Sequence, residues 1–251
     1  MQGSVTTSIH NRLATITFFH PAHNSLPGHL ISELAAQIKI AGESSEVHLI
    51  VLQSGGDRTF CAGASFDELM TITTSEDGKK FFLGFANVIN AIRKCPKIVI
   101  GKVQGKAIGG GVGIAAAVDY CLATKHSSIK LSELALGIGP FVVGPAIERK
   151  MGLSAFSYLA INATEWQTAT WAKEKGLFNE AFESVEQLDD YVKHFTEKLL
   201  SSSPMALLSL KQVLWSGTDH WDQLLDERAA ISGRLVITTA AQEAIKSART
   251  T

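Results

Sequence analysis

Three consecutive glycines, Gly109, Gly110 and Gly111, precede an alanine-rich segment, and Gly113 follows two residues later. This composition is typical of a helix start, where backbone N–H groups lack an intrahelical acceptor and lie at the positive end of the helix dipole. Glycine there lets a ligand approach without meeting a Cβ atom. The stretch indicates a backbone donor for an oxygen that develops negative charge, or close packing of a helix on a sheet.

A second loop of small residues, Ala62-Gly63-Ala64, follows a nearly continuous apolar run at residues 47–54. Donors that stabilise a developing oxyanion work best as a pair from two backbone segments. Either loop alone is better explained by tight packing. Two such loops, each after a predicted buried strand, favour an oxyanion hole.

The same glycines allow another interpretation, a dinucleotide-binding loop. Residues 111–116 fit G-x-G-x-x-A, and Glu133 lies 20 residues after Gly113, where an acid for the ribose hydroxyls is sought. However, the helix has room for only about two turns before Asp119, and a βαβ crossover needs at least about 10 to 12 residues. An NAD-dependent oxidoreductase is therefore a remote alternative.

Composition limits the possible partners. The chain has 251 residues, 45% hydrophobic and 19% charged, with a net charge of −1, so nucleic acid and anionic membranes are not expected partners. No apolar stretch approaches the roughly 18 residues of a membrane span, and the N-terminus does not resemble a signal peptide. The three cysteines, Cys61, Cys95 and Cys121, form no CxxC pair, which favours buried thiols over a disulfide framework or zinc site. We expect a cytoplasmic protein.

The elements that must position these loops alternate in the first half of the chain. Parallel βαβ units are indicated, because strands are predicted at 13–19, 47–54 and 97–105 and helices at 29–43 and 78–95. Residues 20–28 and 55–66 are predicted as turn and loop. Short strands are predicted at 119–125 and 128–133. After about residue 145 the pattern is helical, with one strand-like interruption at 177–184 and a long amphipathic segment at 220–248.

These segments resemble the crotonase superfamily, the enoyl-CoA hydratase/isomerase family. The resemblance is carried by residues 48–69, 95–124 and 128–140 and extends over nearly all of the chain. Within the family, the chain looks closest to methylglutaconyl-CoA-type hydratases. The resemblance implies an α/β fold: a spiral of ββα repeats over residues 1–190 and a C-terminal helical trimerisation region over residues 191–251. It implies a homotrimer or homohexamer.

The resemblance also implies roles for individual residues. Family members bind an acyl-CoA thioester and stabilise its enolate, which places the two donors at the N–H groups of Ala64 and Gly110 and the acid/base at Glu133. Coenzyme A enters as part of the substrate, and no metal or redox cofactor is implied. Arg58 falls where members often place a basic residue near the CoA phosphates, although an exposed loop arginine is an equal alternative. The other predicted substrate-binding residues are Ala62, Gly63, Gly109, Gly111 and Phe141. Together with Val142 and Val143, Phe141 is predicted to form a bulky wall that suits a short or branched acyl chain.

One departure from the family pattern bears on the reaction. Two-acid hydratases carry a glutamate two residues after the glycine triplet and another about 20 residues further on; this chain has Gly113 at the first position and Glu133 at the second. Hydration adds a proton and a hydroxide, which two carboxylates can divide, whereas a double-bond shift needs one base. Isomerisation and hydration both stay open, with a catalytically inactive acyl-CoA-binding protein as an alternative.

Other nearby residues are candidates to replace the acid that is absent at residue 113. Ser65, Asp67 and Glu68 are predicted as helix-start residues. His20 and His23 are predicted to lie in a surface turn. Gly113→Glu is expected to restore a second carboxylate if the pocket has room for it.

Overall fold

The computed structural model describes residues 3–249. The strands are β1 (Ser4–His10), β2 (Leu13–Phe19), β3 (Ser25–Leu26), β4 (Leu49–Ser54), β5 (Thr59–Cys61), β6 (Gly63–Ala64), β7 (Ile98–Val103), β8 (Lys106–Ile108), β9 (Tyr120–Thr124), β10 (Ser128–Lys130), β11 (Gln167–Thr168) and β12 (Glu180–Phe182). The helices are α1 (Gly28–Glu43), α2 (Phe66–Leu69), α3 (Ser75–Lys94), α4 (Gly110–Ala117), α5 (Gly144–Ile161), α6 (Ala169–Glu174), α7 (Val185–Leu200), α8 (Pro204–Leu214), α9 (Trp221–Val236) and α10 (Thr239–Arg249). A single 3-10 turn covers Leu134–Leu136.

The chain winds between a large and a small sheet. The large sheet has the order β1-β2-β4-β7-β9-β12 and is parallel except for the β1–β2 hairpin. The smaller sheet has the order β11-β10-β8-β5, and β3 pairs with β6. Because β4, β7 and β9 contribute to one sheet and β5, β8 and β10 to the other, successive turns of the chain stack as repeats. The predicted α/β spiral is confirmed.

Both faces of the large sheet are covered, which explains the continuous apolar runs of β4 and β7. One face packs against α1, α3 and α4 and forms the main core. The other face carries a smaller cluster in which Leu49, Ile100 and Leu122 pack with Leu188 of α7 and Leu207 of α8.

Some elements differ from the sequence predictions. The predicted loop at residues 55–66 contains β5 and β6, and the predictions did not include β1. Strand β1 is an edge strand with mainly exposed side chains, so its sequence lacks an apolar run. Its hairpin turns at Asn11 and Arg12, both with positive φ. The predicted boundary at residue 190 falls inside α7, so a division there would cut a helix.

The long segment at residues 220–248 forms two helices that pack on their own chain. The buried face of α9 lies along α3, and the two backbones cross in contact, because a Cβ atom added at Gly78 would lie 2.8 Å from the Gly233 Cα atom. Ion pairs reinforce the crossing, including Lys79 to Asp226 at 2.9 Å. We expected this amphipathic segment to serve trimerisation. The structure instead covers the apolar face of α9 within the subunit.

Candidate active site

One pocket lies where β6, the start of α4 and the 3-10 turn meet α3, α5 and α9. It encloses about 580 Å³ of empty space, including its open mouth. Its lining is mostly apolar. The lining residues are Ala62, Gly63, Ala64, Phe66, Leu69, Phe82, Phe85, Gly109, Gly110, Ser132, Glu133, Leu136, Ile138, Gly139, Pro140, Phe141, Val142, Val143 and Ser232.

The first candidate donor is the N–H group of Gly110, the first residue of α4. Gly109, just before it, has φ +52° and ψ −115°, a conformation that requires glycine. The Gly109 N–H donates to the Lys130 carbonyl at 2.9 Å, and the Gly109 carbonyl accepts from Val112 and Gly113. As the first helical residue, Gly110 has no intrahelical acceptor for its N–H, so this group is available to a ligand.

The second candidate donor is the N–H group of Ala64 in β6. Ser65 N–H donates to the Leu26 carbonyl at 3.2 Å, so backbone alternation in the parallel β3–β6 pair directs the Ala64 N–H away from β3. The two small-residue loops touch, because a Cβ atom added at Gly63 would lie 3.3 Å from the Gly110 nitrogen. Both candidate donors therefore line the same pocket.

The carboxyl group of Glu133 is the acid of this pocket. The residue is half-buried, but its Oε2 atom is buried and has no hydrogen-bond partner within residues 3–249. Burial raises the pKa of Glu133 to about 7, an effect that a hydrogen bond from its own backbone N–H partly offsets. A carboxyl group with this pKa can take up and return a proton near neutral pH.

Glu133 is held against the glycine stretch. The Glu133 carbonyl accepts from the N–H groups of Leu136 at 3.1 Å and Ile138 at 3.0 Å, which fixes the backbone around the 3-10 turn. A Cβ atom added at Gly109 would lie 2.9 Å from Glu133 Oε1. The missing side chain at residue 109 thus leaves the space in which the carboxyl group lies.

Aromatic side chains form much of the apolar wall. Phe82 and Phe85 come from α3, and Phe85 packs so closely on α4 that a Cβ atom added at Gly110 would lie 2.2 Å from its ring. Phe141, which the sequence predicted as a wall residue, also lines the pocket. Its ring packs beside Gly139, whose φ is +95°.

Gly111 and Gly113 do not line the pocket. A Cβ atom added at Gly111 would lie 2.4 Å from the Cys61 carbonyl oxygen, so this glycine admits α4 against β5 and does not clear space for a ligand as predicted. A Cβ atom added at Gly113 would lie 2.3 Å from Val143 Cγ1, so the pocket lacks the room that a glutamate there needs. Both glycines are buried inside a helix, which also speaks against a pyrophosphate-binding loop.

Arg58 lies outside the pocket lining. It is an exposed residue of the loop between β4 and β5, where its carbonyl accepts from the Lys106 N–H at 3.1 Å. The loop is fixed by Asn24, whose side-chain amide donates to the carbonyls of Gly55 and Thr59 at 2.8 and 2.7 Å. A role of Arg58 near CoA phosphates stays a prediction.

The residues weighed as substitute acids have structural partners. The Ser65 hydroxyl accepts from the Glu68 N–H as the N-cap of α2. The Glu68 carboxylate accepts from the Gly28 N–H at 2.6 Å, at the start of α1. Asp67 pairs with Arg249 at 2.9 Å. None of the three lines the pocket.

Sequence reasoning missed the wall residues that come from distant elements. Phe82 and Phe85 lie on the buried face of a helix that periodicity identified, but nothing in the sequence shows that they border a cavity. Ser232 enters from α9 and is 1% exposed.

Two further findings concern metals and membranes. Within residues 3–249, no three His, Cys, Asp or Glu side chains are grouped as ligands of a metal ion would be. In the same part of the chain, no helix has the length and apolar character needed to cross a bilayer.

Known proteins are similar to this chain in sequence and in fold. The family model described as enoyl-CoA hydratase/isomerase matches residues 8–250. A short-chain-enoyl-CoA hydratase of Clostridium acetobutylicum is 30% identical over 208 residues, which cover 82% of this chain and 78% of that protein. A peroxisomal Delta(3,5)-Delta(2,4)-dienoyl-CoA isomerase of Arabidopsis thaliana is 29% identical over 244 residues, covering 90% and 86%.

A solved structure shows the same fold. The crystal structure of an enoyl-CoA hydratase from Bacillus halodurans aligns with a TM-score of 0.88 and 22% identity, covering 97% of this chain and 99% of that chain. At this coverage, the spiral and the C-terminal helices both belong to the shared fold.

Proposed function

The chain belongs to the enoyl-CoA hydratase/isomerase family, and from this premise we propose that it shifts the double bond of an enoyl-CoA thioester with a single acid/base, Glu133. One observation carries the proposal. The pocket that contains two backbone donors contains one carboxyl group, and the position from which a second would project is filled by Val143.

The geometry supports a proton shift through an enolate. The thioester oxygen accepts from the N–H groups of Ala64 and Gly110, which makes the carbon next to the carbonyl more acidic. Each donor of this kind contributes about 3 to 4 kcal/mol to the transition state. The partial positive charge at the start of α4 adds to the stabilisation.

Glu133 moves the proton. In a 3-enoyl-CoA, its carboxylate takes the proton from C2, and the C–H electron pair becomes part of a conjugated dienolate. The same carboxyl group then returns the proton to C4, which leaves the 2-enoyl-CoA. The substrate gains and loses one proton, so no water is consumed. A pKa of about 7 suits both steps, because the group ionises readily at neutral pH and is still acidic enough to give the proton back.

Hydration is the second candidate, and the names of the relatives favour it. A hydratase needs a group besides Glu133 to hold and activate water. The nearby acids Asp67 and Glu68 are engaged with Arg249 and with the start of α1. These engagements favour the single-acid reaction.

A catalytically inactive acyl-CoA-binding protein would have no need for Glu133. A buried carboxyl group whose Oε2 atom has no hydrogen-bond partner costs stability, because burial penalises its charged form. The presence of such a costly group beside two free backbone donors favours catalysis.

The acyl group is proposed to be short or branched. Phe82, Phe85, Phe141 and Val143 leave a narrow apolar space beside the donors. The placement near methylglutaconyl-CoA-type hydratases and the cytoplasmic location both stay predictions.

We also propose a homotrimer or homohexamer. Because α9 is covered by α3, we place the self-association surface on α5 and α8, which carry seven of the thirteen exposed large hydrophobic residues in the described part of the chain. They include Ile161 at 72% and Val213 at 68% exposure. These two helices adjoin, since Arg149 of α5 donates to the Leu214 carbonyl of α8. Light scattering should give three or six times the mass of one chain, and a monomer at micromolar concentration would contradict the proposal.

The reaction is tested by incubating the protein with short 3-enoyl-CoA and 2-enoyl-CoA esters and measuring the product masses by mass spectrometry. The single-acid proposal predicts that 3-enoyl-CoA gives a conjugated product of unchanged mass. A substrate deuterated at C2 should carry part of that deuterium at C4 after conversion in H₂O, because the same carboxyl group removes and returns the proton. A 2-enoyl-CoA that efficiently gains the mass of one water would contradict it and favour the hydratase. A protein that binds both esters and converts neither would favour the inactive binder.

A further inference from the structure

Gly113 and Val143 form a close pair between two helices. Gly113 is buried in the middle of α4, and Val143 is the residue just before α5, 4% exposed and part of the pocket lining. A Cβ atom added at Gly113 would lie 2.3 Å from Val143 Cγ1, 2.6 Å from its Cβ atom and 3.5 Å from its Cα atom. The valine side chain therefore fills the space into which any side chain at residue 113 would extend.

We propose that Val143 determines the reaction in this pocket, because its side chain excludes a second acid at residue 113. The inference rests on the proposed function, in which Glu133 acts alone. The further point is that Val143, and not Gly113 alone, keeps the pocket to one acid. A change at Gly113 alone therefore cannot alter the reaction.

The distances predict a graded series of melting temperatures, which can be measured without an assay of activity. Gly113→Ala alone should clash and lower the melting temperature. Adding Val143→Ala should rescue little, because its Cβ atom still lies at 2.6 Å. Adding Val143→Gly should rescue most of the loss, since the remaining Cα atom at 3.5 Å is an ordinary contact.

The rescuing variant is expected to fold. Val143 is the N-cap residue of α5 with φ −83° and ψ −21° and has no side-chain hydrogen bond there. Glycine is preferred over valine at N-caps. If Gly113→Ala/Val143→Gly is no more stable than Gly113→Ala, the two residues are not in steric competition, and the proposal is wrong.

The reaction is tested with Gly113→Glu/Val143→Gly and each of its single variants, after circular dichroism and sizing. The ratio of hydrated to isomerised product from a short enoyl-CoA should rise at least about tenfold in the double variant over the parent and both single variants, because two carboxylates can share acid and base work. Gly113→Glu alone should unfold or show no added hydration.

Gly113→Glu/Val142→Gly is the matched control. Val142 lines the same pocket and is also 4% exposed, so this variant enlarges the pocket without clearing residue 113. Equal gains in hydration from the Val142 and Val143 variants, or a folded and hydrating Gly113→Glu single variant, would overturn the inference. If the parent converts no enoyl-CoA at all, the proposed function fails instead, while the steric series still reports on the Gly113–Val143 pair.

Discussion

The donor side of the pocket, Gly63–Ala64 with Gly109–Gly110, is made of backbone, whereas its side-chain wall, Phe82, Phe85, Val143 and Ser232, is made of side chains from three helices. The donor side depends on two short segments that must be small. The wall depends on where α3, α5 and α9 pack. The same pocket therefore takes its chemistry from local sequence and its shape and selectivity from long-range contacts.

The largest expected effect is the loss of turnover when Glu133, the proposed acid/base, is replaced. Glu133→Gln keeps the shape and removes the base, so kcat should fall by about 10² to 10⁴, while the affinity for acyl-CoA changes little. Turnover with a 3-enoyl-CoA and binding by calorimetry measure the two quantities. Glu68→Gln is the control, since its carboxylate serves the start of α1. A Glu68→Gln variant that loses activity as strongly would move the acid/base away from Glu133.

Two variants at residue 110 test whether its N–H group acts as a donor. Both Gly110→Pro and Gly110→Ala place a Cβ atom against Phe85, but only proline removes the N–H group. If this group holds the thioester oxygen, the proline variant should turn over about 10² to 10³ times more slowly than the alanine variant. Equal activities in two folded variants would show that Gly110 matters for packing alone. Proline is well tolerated at a first helical position, so the comparison is not biased against it.

A third experiment follows protonation of Glu133. Its folded pKa of about 7 is above the ordinary value of 4.5, so the native protein binds the extra proton between these two pH values. The free energy of unfolding should therefore decrease as pH rises from 4.5 to 7, by about 3 kcal/mol at most, and the Glu133→Gln variant should lack this contribution. Thermal unfolding of both proteins across this range measures it. Because the proposed base is the carboxylate, kcat/KM should rise through pH 7, and a flat profile would contradict the assignment.

The smallest expected effect lies on the side-chain wall. Ser232 is buried in the pocket lining at 1% exposure, so Ser232→Ala removes one small polar group and should change stability by no more than about 1 kcal/mol. Ser132→Ala, beside Glu133 in the same pocket, is the comparison. A clear loss of stability in Ser232→Ala would mean that the hydroxyl has a partner in solution.

The sequence predicted the features that depend on local segments and did not predict those that depend on long-range packing. The buried strands β4 and β7, helices α1 and α3 and the start of α4 were predictable, because their periodicity and their small residues are local signals. Placing Ala64, Gly110 and Glu133 at one pocket needed the resemblance to a family, since nothing local joins segments so far apart. Their catalytic roles stay predictions.

The part of the wall that comes from α3 and α9, namely Phe82, Phe85 and Ser232, was not predictable from one sequence for a physical reason. The apolar face of α9 predicts burial but not what covers it, and the structure shows that α3 does, through the close crossing at Gly78 and Gly233. Gly111 is a second example. A sequence does not show whether a glycine allows close packing, as Gly111 does against the Cys61 carbonyl, or the approach of a ligand.

The contact between Gly113 and Val143 also sets an order on evolutionary change. Gly→Glu and Val→Gly are each single-nucleotide substitutions, yet the glutamate cannot be accommodated while the valine is present. A lineage that moves from one acid to two must therefore lose the valine first, through an intermediate with a loosened pocket and no new activity. Under the proposed mechanism, the same substitution at residue 113 is expected to be harmful before that step and beneficial after it, a relation between two neighbouring residues that is called sign epistasis.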